Sequence, residues 1–207
     1  MAKLVALFGG SFDPVHIGHL IIARAVAESL DLERVIMLPS ARPPHKNPAT
    51  LADPTHRARM VRLAIDDEPL FEFSDYDLTR SGPTYTFDTI EHFATVTGPS
   101  SHLHWIIGAD SLTEIPTWKN AAQLIDRCRI ISASRPHSPE VNWRQLSESV
   151  GESRAHKLRE GMIETPMIDI SSTQIRNRIE NGYSIRHLVP DLVHDYIYEH
   201  HLYGARV

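Results

Sequence analysis

Short apolar runs that stop at glycine or proline recur along this chain, and stretches with helical periodicity lie between them. Leu4–Phe8 is one such run and is followed by two glycines, and Val35–Leu38 is another and is followed by Pro39. A short continuous apolar run is typical of a strand that is buried on both faces of a parallel sheet. Leu20–Leu30, between the two runs, has apolar residues at helical spacing. This alternation predicts an α/β fold, a doubly wound parallel sheet with helices on both faces.

The same signals place the remaining elements. Asp53 followed by Pro54 predicts the start of a helix that runs through Ile65 towards Pro69, because a capping side chain precedes proline at the first helical position. Further predicted helices cover Thr84–Val96, a segment capped by Ser172 that ends at Gly182, and Pro190–Tyr203. Further predicted strands cover Phe71–Tyr76, Leu103–Ile107, Arg129–Ala133 and Met167–Ile170. No linker divides the chain, so we expect one domain over residues 1–207, with a helical C-terminal part over about 171–207.

Composition excludes several classes of protein. The formal net charge of −5 argues against a non-specific nucleic-acid binder, which needs a basic surface. Cys128 is the only cysteine, so an intrachain disulfide and a Cys-rich metal site are excluded. No apolar run reaches the length of a membrane span, and the N-terminal run is too short for a signal peptide. We therefore expect a cytoplasmic enzyme with neither a membrane nor a nucleic acid as partner.

The segment after the first predicted strand is the strongest candidate for a ligand site. It reads Gly9-Gly10-Ser11-Phe12-Asp13-Pro14-Val15-His16-Ile17-Gly18-His19-Leu20. In an open parallel sheet, ligands bind beyond the carboxyl ends of the strands. The glycines let a phosphate approach the backbone, the helix start supplies N–H groups, and His16 and His19 share one helix face. We interpret this segment as an anion clamp with two imidazole donors.

This segment differs from the common nucleotide-binding loops. It lacks the Gly-Lys-Ser/Thr of a P-loop and the Gly-x-Gly-x-x-Gly spacing of a dinucleotide fold. A glycine-rich turn with two surface histidines is the plain alternative to an anion clamp. A metal pair at His16 and His19 would need a third ligand, and none lies at a suitable spacing.

A second candidate phosphate site follows the last predicted strand. It reads Ile170-Ser171-Ser172-Thr173-Gln174-Ile175-Arg176. Hydroxyl and N–H groups at a helix start can bind phosphate, and Arg176 would add a planar donor fork. Taken alone, the segment fits better with a helix cap followed by a solvated arginine.

Together the two segments resemble a known family. His-Ile-Gly-His is the His-x-Gly-His signature of the nucleotidylyltransferase superfamily. The wider pattern Gly-Gly-x-Phe-Asp-Pro-x-His-x-Gly-His-Leu, with Ile-Ser-Ser-Thr-x-Ile-Arg, is similar to the bacterial-type nicotinate mononucleotide adenylyltransferases. The resemblance implies a Rossmann-like fold and adenylyl transfer from ATP to nicotinate mononucleotide. The products would be nicotinate adenine dinucleotide (deamido-NAD) and pyrophosphate, in NAD biosynthesis.

The resemblance also implies roles for individual residues. The implied catalytic residues are His16, His19, Lys46 and Arg176. The implied ATP-binding residues are Gly9, Gly10, Ser11, Phe12, His16, His19, Gly108, Asp110, Arg135, Ile170, Ser172, Thr173 and Arg176. The implied mononucleotide-binding residues are His45, Lys46, Thr84, Tyr85, Thr86 and Trp118. No side chain is assigned to a metal; Mg²⁺ is expected with ATP, on the phosphate oxygens.

A purely structural role is the alternative for several of these residues. Thr84–Thr86 and Asp110 can be helix caps without a ligand, and Trp118 can be a core residue. The family often has Ser at the position of Thr84, and it commonly has Gly where this chain has His137 after Arg135-Pro136.

Two rival functions share part of the pattern. Pantetheine-phosphate adenylyltransferases and cytidylyltransferases share the first motif but should lack the Thr84–Thr86 and Pro116–Trp118 segments. A nucleotide-sensing protein without turnover would be expected to lose His16, His19 or Arg176. A class I aminoacyl-tRNA synthetase is excluded by the short chain and the missing Lys-Met-Ser-Lys-Ser. The expected partners are ATP and nicotinate mononucleotide, and the sequence leaves a homo-oligomer open.

Overall fold

A computed structural model describes residues 4–44, 50–98, 102–133 and 140–206. Its strands are β1 Leu4–Gly10, β2 Arg34–Pro39, β3 Phe71–Phe73, β4 His102–Gly108, β5 Arg129–Ala133 and β6 Met162–Ile163. They form a six-stranded sheet in the order β3-β2-β1-β4-β5-β6, and every adjacent pair is parallel. The strand order reverses between β1 and β4, which is the point where open α/β sheets bind ligands.

The described residues form α-helices and two 3₁₀ helices around this sheet. The α-helices are α1 Ile17–Ser29, α2 Pro54–Ile65, α3 Tyr76–Thr79, α4 Thr86–Thr97, α5 Ala121–Arg127, α6 Trp143–Val150, α7 Glu152–Glu160, α8 Ser172–Glu180 and α9 Asp191–Glu199. The 3₁₀ helices cover Ala109–Thr117 and Leu202–Gly204. Within the described ranges, no helix combines the length and the apolar character needed to cross a membrane.

Alternate residues of β1 point into two separate cores. Ala6 and Phe8 belong to the core that α1, α2, α8 and α9 complete. Val5 and Leu7 belong to the core that α4, α5, α6 and α7 complete. Because side chains alternate along a strand, an apolar run such as Leu4–Phe8 supplies both faces at once. The predicted Rossmann-like α/β fold, with helices on both faces of a parallel sheet, is confirmed.

Two of the predicted strands are wrong, the first in its location and the second in its extent. Met167–Ile170 is not a strand; the sixth strand is Met162–Ile163, and the chain between β6 and α8 has no regular structure. Pro166 lacks the N–H that a strand needs, and Met167 is 64% exposed. Tyr76 does not extend β3 but starts α3, where its N–H donates to Oγ of Ser74 at 3.3 Å.

Helix boundaries also differ from the prediction. Ser171, not Ser172, caps α8: its Oγ accepts from the N–H of Gln174 at 3.2 Å, and Oε1 of Gln174 accepts from the N–H of Ser171 at 2.9 Å. Helix α4 begins at Thr86 rather than Thr84, whose N–H donates to the carbonyl of Arg42 at 3.0 Å.

The last predicted helix, Pro190–Tyr203, is shorter in the structure. It ends at Glu199 because His201 and Tyr203 have positive φ, which an α-helix of L-residues does not allow. Helices α6 and α7 lie in a stretch where the sequence pattern predicted no element.

Candidate active site

A cavity of about 430 Å³ lies beyond the carboxyl ends of β1 and β4, at the reversal of strand order. Most of the predicted site residues line it. They are Gly9, Gly10, Ser11, Phe12, His16, His19, Thr84, Tyr85, Thr86, Gly108, Asp110, Trp118, Ser172, Thr173 and Arg176. Residues that are distant in sequence therefore meet at one edge of the sheet.

Ile170 is the one predicted site residue among the described residues that does not line this wall. Ile170 lies outside the cavity lining and packs against the core under α1 and α8. Its apolar side chain is partly buried there, so only its backbone offers polar groups to a ligand. His45, Lys46 and Arg135 lie outside the described residues.

The two motif histidines are stacked at the start of α1. Their ring centroids are 3.6 Å apart with an interplanar angle of 26°. Nδ1 of His19 accepts from the N–H of His16 at 3.2 Å, so the ring proton of neutral His19 is on Nε2. His16 is only 2% exposed, whereas His19 is partly exposed at the cavity wall. The arrangement places one imidazole N–H donor at the cavity with a fixed tautomer.

Close packing requires glycine at position 9 and makes position 18 tight for any larger residue. An ideal Cβ at Gly9 would lie 2.4 Å from Cη2 of Trp105, which is inside any allowed contact. At Gly18, the Cβ would lie 3.1 Å from Nδ1 of His16 and 3.1 Å from Cγ2 of Ile168. Gly9 therefore lets the Trp105 ring reach the cavity from β4, and Gly18 lets the segment before α8 pack against the histidine pair.

The start of α8 is joined to the α1 loop by hydrogen bonds. Oγ of Ser172 donates to the carbonyl of Pro14 at 2.9 Å. Arg176 donates from Nη1 to the carbonyl of Asp13 at 2.7 Å and from Nη2 to Oγ1 of Thr173 at 3.3 Å. The guanidinium is thus fixed beside the histidines and is not the solvated helix charge of the plain alternative.

A fully buried arginine, Arg57, lies behind the same loop and was not among the residues predicted from the sequence. Its Nη1 donates to the carbonyls of Ser11 and Ser40, both at 2.7 Å, and its Nε donates to the carbonyl of Ala52 at 2.9 Å. Burial lowers the pKa of Arg57, and the charge of Asp13 opposes that shift. Arg57 therefore ties the loop after β1 to the loop after β2.

The opposite end of the cavity is formed by the start of α4 and the end of the 3₁₀ helix after β4. Thr84 is buried, and its Oγ1 accepts from the N–H of Arg42 at 3.4 Å, so its hydroxyl has a structural partner. Trp118 is half-buried; it lines the cavity and also packs against the core that α4, α5, α6 and α7 complete. Asp110 also lines the cavity, but the residue that caps the 3₁₀ helix is Gly108.

A charged cluster that was not predicted from the sequence supports this end of the cavity. Asp77 lines the cavity and is 2% exposed; burial raises its pKa, while the hydrogen bond from Thr89 and the Arg80 charge oppose the shift. Oγ1 of Thr89 donates to Asp77 at 2.7 Å. Asp88, in the first turn of α4, accepts from Arg80 at 2.9 Å and from Nζ of Lys119 at 2.8 Å. Arg80 and Lys119 thus pair with the carboxylate of Asp88, and the cluster fixes the first turn of α4.

Comparison with known proteins places the chain in a family. The cytidylyltransferase-like family model matches residues 7–178. A "probable nicotinate-nucleotide adenylyltransferase" of Dehalococcoides mccartyi is 38% identical over 197 residues, 95% of each chain. A protein of the same name from Salmonella gallinarum is 39% identical and covers 98% of this chain and 100% of its own. The chain belongs to the nicotinate-nucleotide adenylyltransferases. Its predicted family, its enzyme class and its place in NAD biosynthesis are confirmed.

Solved structures confirm the fold of this adenylyltransferase. Nicotinic acid mononucleotide adenylyltransferase of Plasmodium falciparum, complexed with APC, has a TM-score of 0.77 and covers 99% of this chain and 98% of its own. The same enzyme complexed with NaAD gives a TM-score of 0.76. The sequence identities of 20% and 21% are low, so the likeness is one of architecture.

Proposed function

We propose that the cavity beyond β1 and β4 transfers the adenylyl group of ATP to the 5′-phosphate of nicotinate mononucleotide. The observation that carries the proposal is the convergence of three helix starts on one cavity. His16 and His19 lie at the start of α1, Ser172–Arg176 at the start of α8, and Thr86 at the start of α4. Helix starts carry N–H groups and a positive dipole end, so they favour anionic groups of a ligand.

The ATP phosphates belong at the α1 and α8 end of the cavity. The N–H groups of the loop after β1, the imidazoles of His16 and His19, and the guanidinium of Arg176 all lie there. Asp110 is proposed for the nucleoside ribose. We keep Lys46 and His45 as proposed phosphate donors and Arg135 as a proposed adenine neighbour, although they lie outside the described residues.

The transfer is a single displacement. An oxygen of the mononucleotide 5′-phosphate forms a bond to the α-phosphorus of ATP, and the bond from that phosphorus to the pyrophosphate oxygen breaks. The attacking phosphate is already anionic, so neither a strong base nor a covalent enzyme intermediate is required. The protein contributes positioning and stabilisation of the charge on the α-phosphate and leaving pyrophosphate, through His16, His19 and Arg176.

The mononucleotide belongs at the α4 end. The Trp118 ring can stack on a pyridine ring, and backbone N–H groups near Thr86 can receive the ring carboxylate. Asp88 in the first turn of α4 would repel that carboxylate, but its two ion pairs, with Arg80 and Lys119, offset its charge. Oγ1 of Thr84 accepts from the N–H of Arg42, which leaves its O–H proton able to donate to the carboxylate beside the backbone N–H groups of α4.

Mg²⁺ is the divalent cation we propose for this reaction. Among the described residues, no three His, Cys, Asp or Glu side chains are grouped closely enough to hold a metal ion. We propose that phosphate oxygens and water are the chief ligands of the ion, as Mg²⁺ prefers. When bound with ATP, the ion would neutralise phosphate charge.

The single domain over residues 1–207 and a cytoplasmic location remain part of the proposal.

Pyrophosphate release tests the proposed turnover. With Mg-ATP and nicotinate mononucleotide, the protein should release pyrophosphate in proportion to the mononucleotide consumed. Release without any acceptor would indicate ATP hydrolysis instead of transfer. Saturable ATP binding with no release would support the rival function, a nucleotide sensor without turnover.

The acid mononucleotide should be preferred to the amide by at least about tenfold in kcat/KM. Stacking on Trp118 holds either ring about equally, so the carboxylate charge must discriminate. A helix start favours an anion by up to ~2 kcal/mol when partly buried, and ~1.4 kcal/mol gives a factor of ten. Kinetics with the two mononucleotides at the same Mg-ATP concentration measure this ratio. Equal efficiencies would show that the ring contacts are misassigned while leaving adenylyl transfer in place.

Arg176→Lys should impair the use of ATP more than the use of the mononucleotide. The planar fork fixed by Asp13 and Thr173 can meet a phosphate with two donors, whereas an ammonium cannot reproduce that geometry. We expect the KM for ATP to rise about tenfold, which corresponds to losing ~1.4 kcal/mol. The KM for the mononucleotide serves as the internal control. An equal rise in both values would contradict a role specific to the triphosphate.

A further inference from the structure

Asp13 lies at the centre of a buried hydrogen-bond network that the reaction itself does not use. The residue is 0% exposed. Its Oδ1 accepts from the N–H of Ala52 at 3.1 Å and from the hydroxyl of Tyr203 at 2.8 Å. A buried carboxylate is costly unless such partners are present. The network therefore joins the loop after β1 to the start of α2 and to the C-terminal segment.

The other side of Asp13 faces Arg176. Its main-chain carbonyl accepts from Nη1 of Arg176 at 2.7 Å, and its Oδ2 lies 3.5 Å from the same nitrogen. Asp13 thus supplies both a hydrogen bond and a negative charge behind the guanidinium. The orientation of Arg176 toward the cavity depends on where Asp13 is held.

Tyr203 holds Asp13 from the far end of the chain. It lies in the 3₁₀ helix Leu202–Gly204 with a positive φ of 57°, and its hydroxyl donates to Oδ1 of Asp13 at 2.8 Å. Burial and the adjacent Asp13 charge raise the pKa of Tyr203. The hydroxyl therefore keeps its proton at neutral pH and remains a donor to the carboxylate.

We propose that Asp13 is a positioning residue for Arg176 in ATP binding, and that the Tyr203 hydroxyl sets its position. This inference rests on the proposed function, since it gives the C-terminal segment a part in recognising the triphosphate. Neither residue touches the reacting atoms. Their effect on ATP passes through Arg176.

Tyr203→Phe tests the proposal by removing one hydroxyl from the network. Tyr196→Phe is the matched control, because its hydroxyl also pairs with a side chain, Nδ1 of His56 at 2.8 Å, but does not contact Asp13. For Tyr203→Phe we expect the KM for ATP to rise about three- to tenfold, the size of one hydrogen bond of ordinary strength, with the mononucleotide KM within about twofold. The control should leave both values unchanged.

A double-mutant cycle separates positioning from a general structural effect. Combined with Arg176→Lys, Tyr203→Phe should add little further to the KM for ATP, because both changes disturb the same guanidinium. Tyr196→Phe with Arg176→Lys should be additive. KM does not depend on the concentration of active enzyme, so partial unfolding of a variant does not mimic the expected result. Full additivity for Tyr203→Phe would overturn the proposal, as would a KM for ATP equal to that of the control.

The proposal and the reaction can fail separately. Calorimetric titration with Mg-ATP alone measures the dissociation constant of ATP without turnover. The same titration on Asp13→Asn shows the effect of removing the carboxylate charge at nearly constant side-chain size. Weaker ATP binding in both Tyr203→Phe and Asp13→Asn would support the positioning role even if no dinucleotide were formed. Unchanged ATP binding in both variants would refute the positioning role even in an active enzyme.

Discussion

His19→Ala is expected to lower kcat by ~10²–10³, the usual cost of deleting a donor that stabilises charge in the transition state. The ring stacks on His16, and its Nδ1 accepts from the backbone, so the ring proton of neutral His19 is on Nε2. Steady-state kinetics with Mg-ATP and nicotinate mononucleotide measure the change. His156→Ala, on the exposed face of α7, is the control and should be unchanged.

The same experiment extends to His16. His16→Ala should behave similarly, and the double variant should be less than additive if the stacked pair stabilises one charge. Circular dichroism should show intact helices in each variant. A His19→Ala enzyme within about threefold of the unmodified protein would remove this histidine from the mechanism, since the removal of an electrostatic donor costs far more.

Arg57→Met is expected to lower the free energy of unfolding by ~3–5 kcal/mol, because it removes one partner of a buried charge network. Asp13 would lose a nearby positive charge, and the carbonyls of Ser11, Ser40 and Ala52 would lose their donors. Urea unfolding followed by tryptophan fluorescence and circular dichroism measures the change. A loss below about 1 kcal/mol would contradict the network, since one unsatisfied buried group alone costs that much.

The chain offers a matched control for Arg57→Met on the same helix. Arg59 lies two residues further along α2 and is not part of its buried face. Arg59→Met makes the same chemical change without removing a buried donor, so its effect should stay within about 0.5 kcal/mol. The difference between the two variants isolates the cost of the buried hydrogen bonds from any effect of methionine on helix propensity.

The parts of the fold and site that can be predicted from the sequence are those encoded locally. An apolar strand, a glycine pair and a helix start are adjacent in the segment from Leu4 to His19, so strand, turn and ligand edge follow from one another. The start of α8 is encoded in the same way by Ser171–Arg176. Their meeting at one cavity follows from the rule that ligands bind at the carboxyl edge of a parallel sheet.

The errors arise where tertiary contacts decide the structure. Met167–Ile170 has the apolar pattern of a strand, but Pro166 before it lacks the N–H that strand pairing needs. The edge position beside β5 is taken instead by Met162 and Ile163, which pair with Ser132 and Ala133. The bond between Tyr203 and Asp13 joins residues at opposite ends of the chain, and no local pattern indicates it.

Arg57 is a different case, because a signal was present. It precedes Met60 and Val61 by one helical turn and therefore falls on the apolar face of α2. A charged residue on the buried face of an amphipathic helix needs buried partners, which here are the carbonyls of Ser11 and Ser40. Helical periodicity could have identified this residue, although not its partners.

Product identification tests the central claim most directly. The protein would be incubated with Mg-ATP and, in separate reactions, nicotinate mononucleotide, nicotinamide mononucleotide and pantetheine phosphate, with a further reaction in which CTP replaces ATP. Mass spectrometry then identifies each product. We expect nicotinate adenine dinucleotide and pyrophosphate as the dominant products of the first reaction. Transfer to pantetheine phosphate, cytidylyl transfer, or the absence of any dinucleotide would contradict adenylyl transfer to nicotinate mononucleotide.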